Sequence, residues 1–158
     1  MNVNLLFVCS GNICRSPMAA EYCRRQVGLR GLSWLSVDSA GTLGIEDRGA
    51  PEPARAAMAE IGVDLSRHRS KGLRFEHVLA ADYTIVMERE HLSYLGRCHP
   101  DGTDRRMLLR SFETGPDPHP YPLELDDPIG CGIEVYRELV PVIVRSVDHL
   151  LDFLAERR

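Results

Sequence analysis

The chain has 158 residues, of which 44% are hydrophobic and 27% charged, and its formal net charge at pH 7 is −4. This length predicts a single domain over residues 1–158 with its own hydrophobic core, and the ordinary balance of apolar and charged residues excludes a disordered chain. A nucleic-acid-binding protein would need a concentration of basic residues, and no segment has one. We therefore expect no nucleic-acid partner.

The cysteines and the apolar segments indicate in which cellular compartment the protein is found. Five cysteines are an odd number in a chain that is large enough to fold without disulfides, which favours a reducing compartment. The first apolar run, residues 5–9, is too short for the core of a signal peptide, and no stretch reaches the length needed to cross a bilayer. We predict a cytoplasmic protein without membrane insertion.

Strand and helix patterns alternate along the chain. Residues 4–8 form a continuous apolar run, as expected of a strand that is buried on both faces. A loop of small residues ends it, and Pro17 suits the first turn of a helix that starts near Ser16 and stops at Gly28. Further along, the patterns predict strands at 34–38, 84–87 and 107–109 and helices at 51–61 and 88–95.

The last segment has the strongest periodicity. Its apolar side chains recur at three- and four-residue steps and predict one long amphipathic helix, in which Pro141 should cause a kink or a distorted turn. Residues 112–128, which include five prolines, are predicted to be loop. The apolar positions of the helix are Ile133, Tyr136, Val140, Ile143, Val147, Leu150 and Leu154.

Strands that alternate with helices through short connections predict a parallel sheet. The expected architecture is a three-layer α/β fold, in which a four-stranded parallel sheet carries helices on both faces. The residues that follow the first strand indicate a phosphate-binding loop at its carboxyl end, for the reasons given next.

Residues 9–17, with the sequence CSGNICRSP, join the first strand to the first helix. This layout aims several backbone N–H groups and a helix N-terminus at one point, which is a site for a dianion. Cys9 lies at the carboxyl end of the strand, where the same positive field favours a nucleophilic thiolate. The guanidinium of Arg15 can fold back into the cradle and grip two phosphate oxygens, and the hydroxyl of Ser16 can donate to the sulfur.

The surroundings of this cysteine and arginine make the motif specific. Gly11 permits close approach of the backbone, and Asn12 tolerates a left-handed conformation. Cys131 and Arg137 have the same spacing, but they lie at the start of the last helix, with no buried strand before them and no glycine loop between them. We attribute that second pair to chance.

Residues 8–17 resemble the signature loop of the low-molecular-weight protein tyrosine phosphatases. The resemblance continues in order through residues 37–41 (VDSAG), 85–88 (IVME) and 126–128 (DDP), and so covers most of the chain. It implies a phosphatase that acts on phosphorylated protein substrates through a cysteinyl-phosphate intermediate. It also implies that no metal or other cofactor is needed, and that inorganic phosphate and related oxyanions inhibit the enzyme.

The same resemblance implies roles for individual residues. Cys9 would be the nucleophile, Arg15 the phosphate clamp, and Asp127, which precedes the proline of the Asp-Pro pair, the general acid. Ser39 falls just past the second strand, which in this fold lies beside the first, within reach of the loop. The residues implied to bind phosphate are Ser10, Gly11, Asn12, Ile13, Cys14, Arg15 and Ser16, and those implied to support the loop are Asn12, Ser16 and Ser39.

Departures from the family pattern bear on the substrate. The family often has aromatic residues at the mouth of the pocket, where this chain has Ile45 and Ile129; an aliphatic lip can still pack against a ring. Relatives that act on phosphoarginine carry Thr at the position of Ile13, and the bulkier branched side chain favours phosphotyrosine. Phosphoarginine is therefore the alternative substrate. A thiol-dependent arsenate reductase is a weaker hypothesis, because it would need two further cysteines near the third strand and only Cys98 lies there.

Several residues keep two interpretations. Cys14 either fills space inside the loop or captures an oxidised Cys9 as a disulfide. Asp127 could instead cap the following helix, and Asp126 could be the acid, although the proline and the family pattern favour Asp127. His68 belongs either to a solvated face or to the support of the loop. The histidines and cysteines lack the spacing of a zinc site, so we expect no metal.

Overall fold

Four parallel strands form the sheet. The computed structural model describes residues 1–101 and 105–158. Its strands are β1 (Val3–Cys9), β2 (Leu35–Gly41), β3 (Tyr83–Val86) and β4 (Arg106–Leu108). They lie in the order β2-β1-β3-β4, and every neighbouring pair is parallel, which confirms the predicted four-stranded parallel sheet.

The helices agree with the predicted ones to within a few residues, with one addition. They are α1 (Arg15–Leu29), α2 (Glu52–Ala59), α3 (Phe75–Ala80), α4 (Arg89–Cys98) and α5 (Ile133–Glu156), together with a 3-10 turn at Leu109–Phe112. The sequence patterns did not predict α3. This helix has only 6 residues and none of its side chains is fully buried, so it is too short for an apolar periodicity to identify it.

The central strand β1 sends alternate side chains into two cores. Leu5 and Phe7 face the larger core, which α1, α2 and α5 close. Leu6 and Val8 face the smaller core, to which α3 and α4 contribute. Both faces of β1 are therefore covered, which explains its continuous apolar run and confirms the predicted layers.

The predicted apolar stripe of α5 faces the larger core. Its positions are buried, apart from the partly buried Ile133 at the first turn. The helix is continuous through Pro141, where we predicted a kink or a distorted turn. Proline has no backbone N–H to donate to the carbonyl of Arg137, four residues earlier in the helix. Because Arg137 and Pro141 are both exposed, water can bind that carbonyl instead. No helix among the described residues is both long enough and apolar enough to cross a membrane.

The carboxyl ends of three strands meet at one edge of the sheet. Cys9, the last residue of β1, pairs with Gly41, the last residue of β2. On the other side of β1, Val8 pairs with Val86 at the end of β3. Because β1 lies between β2 and β3, the segments that follow all three strands surround one point, which is where parallel α/β sheets bind ligands.

Candidate active site

The loop between β1 and α1 wraps around the sulfur of Cys9. The backbone N–H of Asn12 donates to Sγ at 3.2 Å, and Oγ of Ser16 lies 3.0 Å from it. Asn12 has a φ of 56°, the left-handed conformation that its residue type tolerates. Helix α1 begins directly after this loop, so its N-terminal N–H groups also lie at the site.

Asn12 is fully buried and holds the loop to the rest of the fold. Its Nδ2 donates to Oγ of Ser16 at 2.8 Å and to Oγ of Ser39 at 2.9 Å. Its Oδ1 accepts the backbone N–H of Lys71 at 3.0 Å, and its carbonyl oxygen lies 2.6 Å from Nε2 of His68. Since Ser16 accepts from Asn12, its own hydrogen is free to donate to the sulfur. Burial lowers the pKa of His68, so the neutral ring holds the loop through Nε2–H.

Gly41 allows the end of β2 to pass directly beneath the loop. A Cβ at this position would lie 2.7 Å from the carbonyl oxygen of Ser10 and 2.8 Å from the backbone nitrogen of Asn12. Both contacts are with backbone atoms, which cannot rotate away as a side chain could. The last residue of β2 therefore has to be glycine for the loop to keep its position.

The guanidinium of Arg15 is buried and points back to the loop. Its Nη1 donates to the carbonyl oxygen of Leu125 at 2.8 Å and pairs with Oε1 of Glu88 at 3.0 Å. Its Nη2 lies 3.5 Å from Oγ of Ser10 and 3.6 Å from Oδ2 of Asp127. Glu88 and Leu125 were not predicted as site residues. Glu88 lies two residues after the end of β3. Its place near the carboxyl end of a strand beside β1 is the signal that could have identified it.

Asp127 lies at the open side of the same site. Its carboxylate is 41% exposed, and Oδ1 accepts the backbone N–H of Ile129 at 3.1 Å. The N-cap of α5 is Gly132, so Asp127 does not cap that helix. Asp126 is exposed and is not among the residues that line the pocket, whereas Asp127 is.

These elements enclose a pocket of about 110 Å³. Its rim is aliphatic: the predicted lip residues Ile45 and Ile129 both line it, and Leu43, which was not predicted, lies beside them and is 67% exposed. A phosphoryl group and the first atoms of the side chain that carries it fit this volume. The full lining is Cys9, Ser10, Gly11, Ile13, Cys14, Arg15, Leu43, Ile45, Asp127 and Ile129.

Cys14 lies beneath the loop as a buried thiol. Its Sγ is 3.3 Å from the hydroxyl of Tyr136, and burial raises the pKa of Cys14 to about 11. Burial and the contact with Cys14 also raise the pKa of Tyr136. Cys131 is exposed, and Arg137 pairs at 2.7 Å with Glu60, the residue after α2, so the second cysteine–arginine pair is not part of this site.

Comparisons with known proteins agree over almost the whole chain. The family model for low molecular weight phosphotyrosine protein phosphatases matches residues 4–158. A protein-arginine-phosphatase from Geobacillus stearothermophilus is 33% identical over 157 residues, which cover 99% of this chain and 97% of the relative. Low molecular weight protein-tyrosine phosphatase A from Mycobacterium tuberculosis (strain ATCC 25618 / H37Rv) is 32% identical over 156 residues, covering 98% of this chain and 93% of the relative.

Solved structures give the same result. The YwlE arginine phosphatase from Geobacillus stearothermophilus superposes with a TM-score of 0.86 at 30% identity, covering 98% of this chain and 94% of the other. The low molecular weight protein tyrosine phosphatase from T. tengcongensis superposes with a TM-score of 0.86 at 30% identity, covering 96% and 99%. On its sequence, its fold and the loop around Cys9, the chain belongs to the low molecular weight phosphotyrosine protein phosphatase family.

Proposed function

We propose that this protein hydrolyses phosphotyrosine in phosphorylated protein substrates, with Cys9 as nucleophile, Arg15 as phosphate clamp and Asp127 as general acid and base. The observation that carries the proposal is that all three residues line one pocket of about 110 Å³. Donors from Asn12 and Ser16 surround the sulfur and stabilise negative charge on it.

The reaction follows from these positions in two displacements. In the first, Sγ of Cys9 attacks the phosphorus in line, the bond from phosphorus to the tyrosyl oxygen breaks, and Asp127 gives its proton to that oxygen. In the second, Asp127 takes a proton from a water molecule, which attacks the phosphorus and breaks the sulfur–phosphorus bond. Phosphate leaves, and both side chains return to their starting states.

Charge stabilisation in both steps comes from the protein itself. The backbone N–H groups of the loop and the N-terminus of α1, which begins at Arg15, would donate to the phosphoryl oxygens, and the Arg15 fork would bind two of them. Glu88 and the carbonyl of Leu125 hold the guanidinium before substrate arrives, so little reorganisation is needed. We accordingly propose turnover without a metal or other cofactor, and competitive inhibition by inorganic phosphate and vanadate.

The pocket wall supports phosphotyrosine as the preferred substrate. A Cβ at Gly11 would lie 3.5 Å from Cδ1 of Ile13 and 3.7 Å from Cδ1 of Ile45, so both isoleucines stand over the loop. An aliphatic wall of this kind packs against an aromatic ring, and these two isoleucines offer no acceptor to a guanidinium, whereas the carboxylate of Asp127 at the open side of the pocket does. The second candidate, phosphoarginine, is favoured by the 33% identity to the arginine phosphatase, which is as high as the 32% identity to the Mycobacterium tuberculosis tyrosine phosphatase or slightly higher.

Arsenate reduction receives no support from the position of Cys98. This exposed thiol ends the 10-residue helix α4, whose first turn follows Glu88 at the site. A helix of that length places it roughly 15 Å away along the helix axis. We also propose a cytoplasmic location, because the chain carries five free thiols, three of them buried.

A side-by-side assay of phosphotyrosine, phosphoserine and phosphoarginine peptides tests the proposal. We expect the highest kcat/KM on the phosphotyrosine peptide and no turnover in Cys9→Ser, whose hydroxyl is a far poorer nucleophile at neutral pH. Ile13→Thr is the matched variant, and it should shift the ratio of the rates toward phosphoarginine. A wild-type protein that prefers phosphoarginine would establish the alternative, and turnover by Cys9→Ser would refute the covalent mechanism.

A further inference from the structure

Helix α4 begins with a buried histidine that reaches back to the phosphate loop. His91 is the third residue of this helix and is 2% exposed. Its Nδ1 lies 3.1 Å from the backbone nitrogen of Glu88, and its Nε2 lies 3.0 Å from Oγ of Ser10. One imidazole ring therefore connects the start of α4 to the loop.

The hydrogen bond to Glu88 determines where the ring carries its proton. The backbone N–H of Glu88 is a donor, so Nδ1 accepts and has no hydrogen. In the neutral ring the hydrogen is then on Nε2, which donates to Ser10. Burial, with the nearby charge of Arg15, lowers the pKa of His91 to about 4, so the neutral ring is the form present at neutral pH.

Ser10 consequently has a hydroxyl hydrogen to give. Its other partner is Nη2 of Arg15 at 3.5 Å, and a guanidinium can only donate. Among the described residues, both partners of the Ser10 oxygen are donors, and none accepts the hydroxyl hydrogen. Ser10 lines the pocket beside Cys9, so a phosphate dianion in the loop would supply the acceptor.

We propose that His91 is a positioning residue for phosphate binding, which turns the hydroxyl of Ser10 toward the phosphoryl oxygens by donating to its oxygen. The inference rests on the proposed function, since it requires phosphate in the loop. A hydroxyl that is already oriented needs no reorganisation when charge develops on the phosphoryl group. Ser10 thereby adds a side-chain donor to the backbone donors of the loop.

The chain contains a matched control for His91. His77 is the third residue of α3, and its Nδ1 accepts the backbone N–H of Arg74 at 3.0 Å, the same contact at the same helix position. His77 is not among the described residues that line the pocket. Replacement of either histidine by asparagine keeps a short acceptor for the backbone N–H, but at position 91 the shorter side chain no longer reaches Ser10.

The experiment measures the inhibition constant of inorganic phosphate, with nitrophenyl phosphate as substrate. His91→Asn and Ser10→Ala should each raise this constant about tenfold, as expected for one lost hydrogen bond to a charged group. The double variant should show no further rise over Ser10→Ala, because His91 acts only through the hydroxyl of Ser10. His77→Asn should leave the constant unchanged.

Three results would overturn the proposal: an unchanged constant in His91→Asn, rises that multiply in the double variant, or an equal rise in His77→Asn. If His91→Asn does not fold, His91→Gln replaces it, because the longer amide can still donate to Ser10. The constant should then stay near the wild-type value in His91→Gln and rise in Ser10→Ala, and the reverse would contradict the proposal. Calorimetric titration of the same variants measures phosphate binding without turnover. An inactive wild-type protein would therefore refute the proposed function, and the titration would still test the role of His91.

Discussion

At the scale of single residues, the proposed mechanism requires Asp127 to act twice, as an acid toward the leaving group and as a base toward water. Its carboxylate is partly exposed and lies 3.6 Å from Arg15, so water and substrate can both reach it. General acid catalysis contributes roughly 10²–10⁴-fold when the leaving group is poor. Nitrophenolate leaves readily without a proton, whereas phenolate does not.

Asp127→Asn should therefore slow the hydrolysis of phenyl phosphate much more than that of nitrophenyl phosphate, as measured by kcat on the two substrates. Asp126→Asn is the matched control, because the neighbouring carboxylate does not line the pocket. It should leave both rates near those of the wild type. Equal losses on the two substrates in Asp127→Asn, or a leaving-group dependence in Asp126→Asn instead, would show that Asp127 is not the acid.

Cys14 gives a prediction about oxidation. Peroxide converts the Cys9 thiolate to a sulfenic acid, and the thiolate of Cys14 can attack its sulfur, which forms the disulfide and releases hydroxide. Burial raises the pKa of Cys14 to about 11, so at any pH below that value its thiolate fraction increases about tenfold for each unit by which the pH is raised. Disulfide formation after a peroxide pulse should thus be faster at pH 9 than at pH 7. Mass spectrometry of the linked peptides measures it, with Cys14→Ser as control, and a disulfide from Cys9 to another cysteine would refute the pairing.

The site residues that could be predicted from the sequence lie close together along the chain, and those that could not lie far from the loop. Cys9, Asn12 and Arg15 lie in one short segment, so their spacing and the strand before them were enough. Glu88 and Leu125 reach Arg15 from 73 and 110 residues away, through the order of the strands and the path of a loop. No local pattern marks such contacts.

At the scale of elements, the junction between β2 and the loop gives the sharpest stability prediction. Gly41→Ala places a methyl group against backbone atoms of Ser10 and Asn12, so the loop must shift. Overpacking of this kind costs roughly 1–3 kcal/mol in the free energy of unfolding, and the displaced loop should bind phosphate more weakly. Urea unfolding and the phosphate inhibition constant measure the two effects.

A second glycine provides the comparison for this substitution. Gly96 lies within α4, and a Cβ there would meet no atom within 4 Å. Gly96→Ala should raise the free energy of unfolding by up to about 1 kcal/mol, because alanine favours the helix. It should leave phosphate inhibition unchanged. If Gly41→Ala behaved in the same way, the close passage of β2 beneath the loop would be wrong.

The apolar periodicity of the sequence predicted the helices and strands that bury an apolar face. It did not predict elements without a buried face, or the part of a strand in which small residues pair with a neighbouring strand. The stripe of α5 identified a 24-residue helix, because its whole length packs on the larger core. The prediction ended β2 at Asp38, yet the strand runs to Gly41, since residues 39–41 pair in register with residues 7–9 of β1. Serine, alanine and glycine carry little strand signal of their own, and their pairing depends on the neighbour.

The site draws on segments from the whole molecule. The loop after β1, the end of β2, the backbone at Lys71, the residues after β3 and the carbonyl of Leu125 all hold it. If phosphate binds in the loop as we propose, it binds the folded state only and therefore stabilises the entire fold. At a concentration of 100 times its dissociation constant, the gain is about 2.7 kcal/mol.

For a chain of this size, that gain should raise the melting temperature by roughly 5 to 10 °C. Arg15→Ala should abolish the shift, because the bidentate clamp is lost and Glu88 is left without its cation. Arg137→Ala is the control, since this arginine has the same spacing from a cysteine but pairs with Glu60 at the surface, and the full shift should remain. Calorimetry in phosphate and in chloride of equal ionic strength separates binding from screening. A shift that survives in Arg15→Ala would mean that phosphate binds elsewhere on the molecule, and that Arg15 does not clamp it.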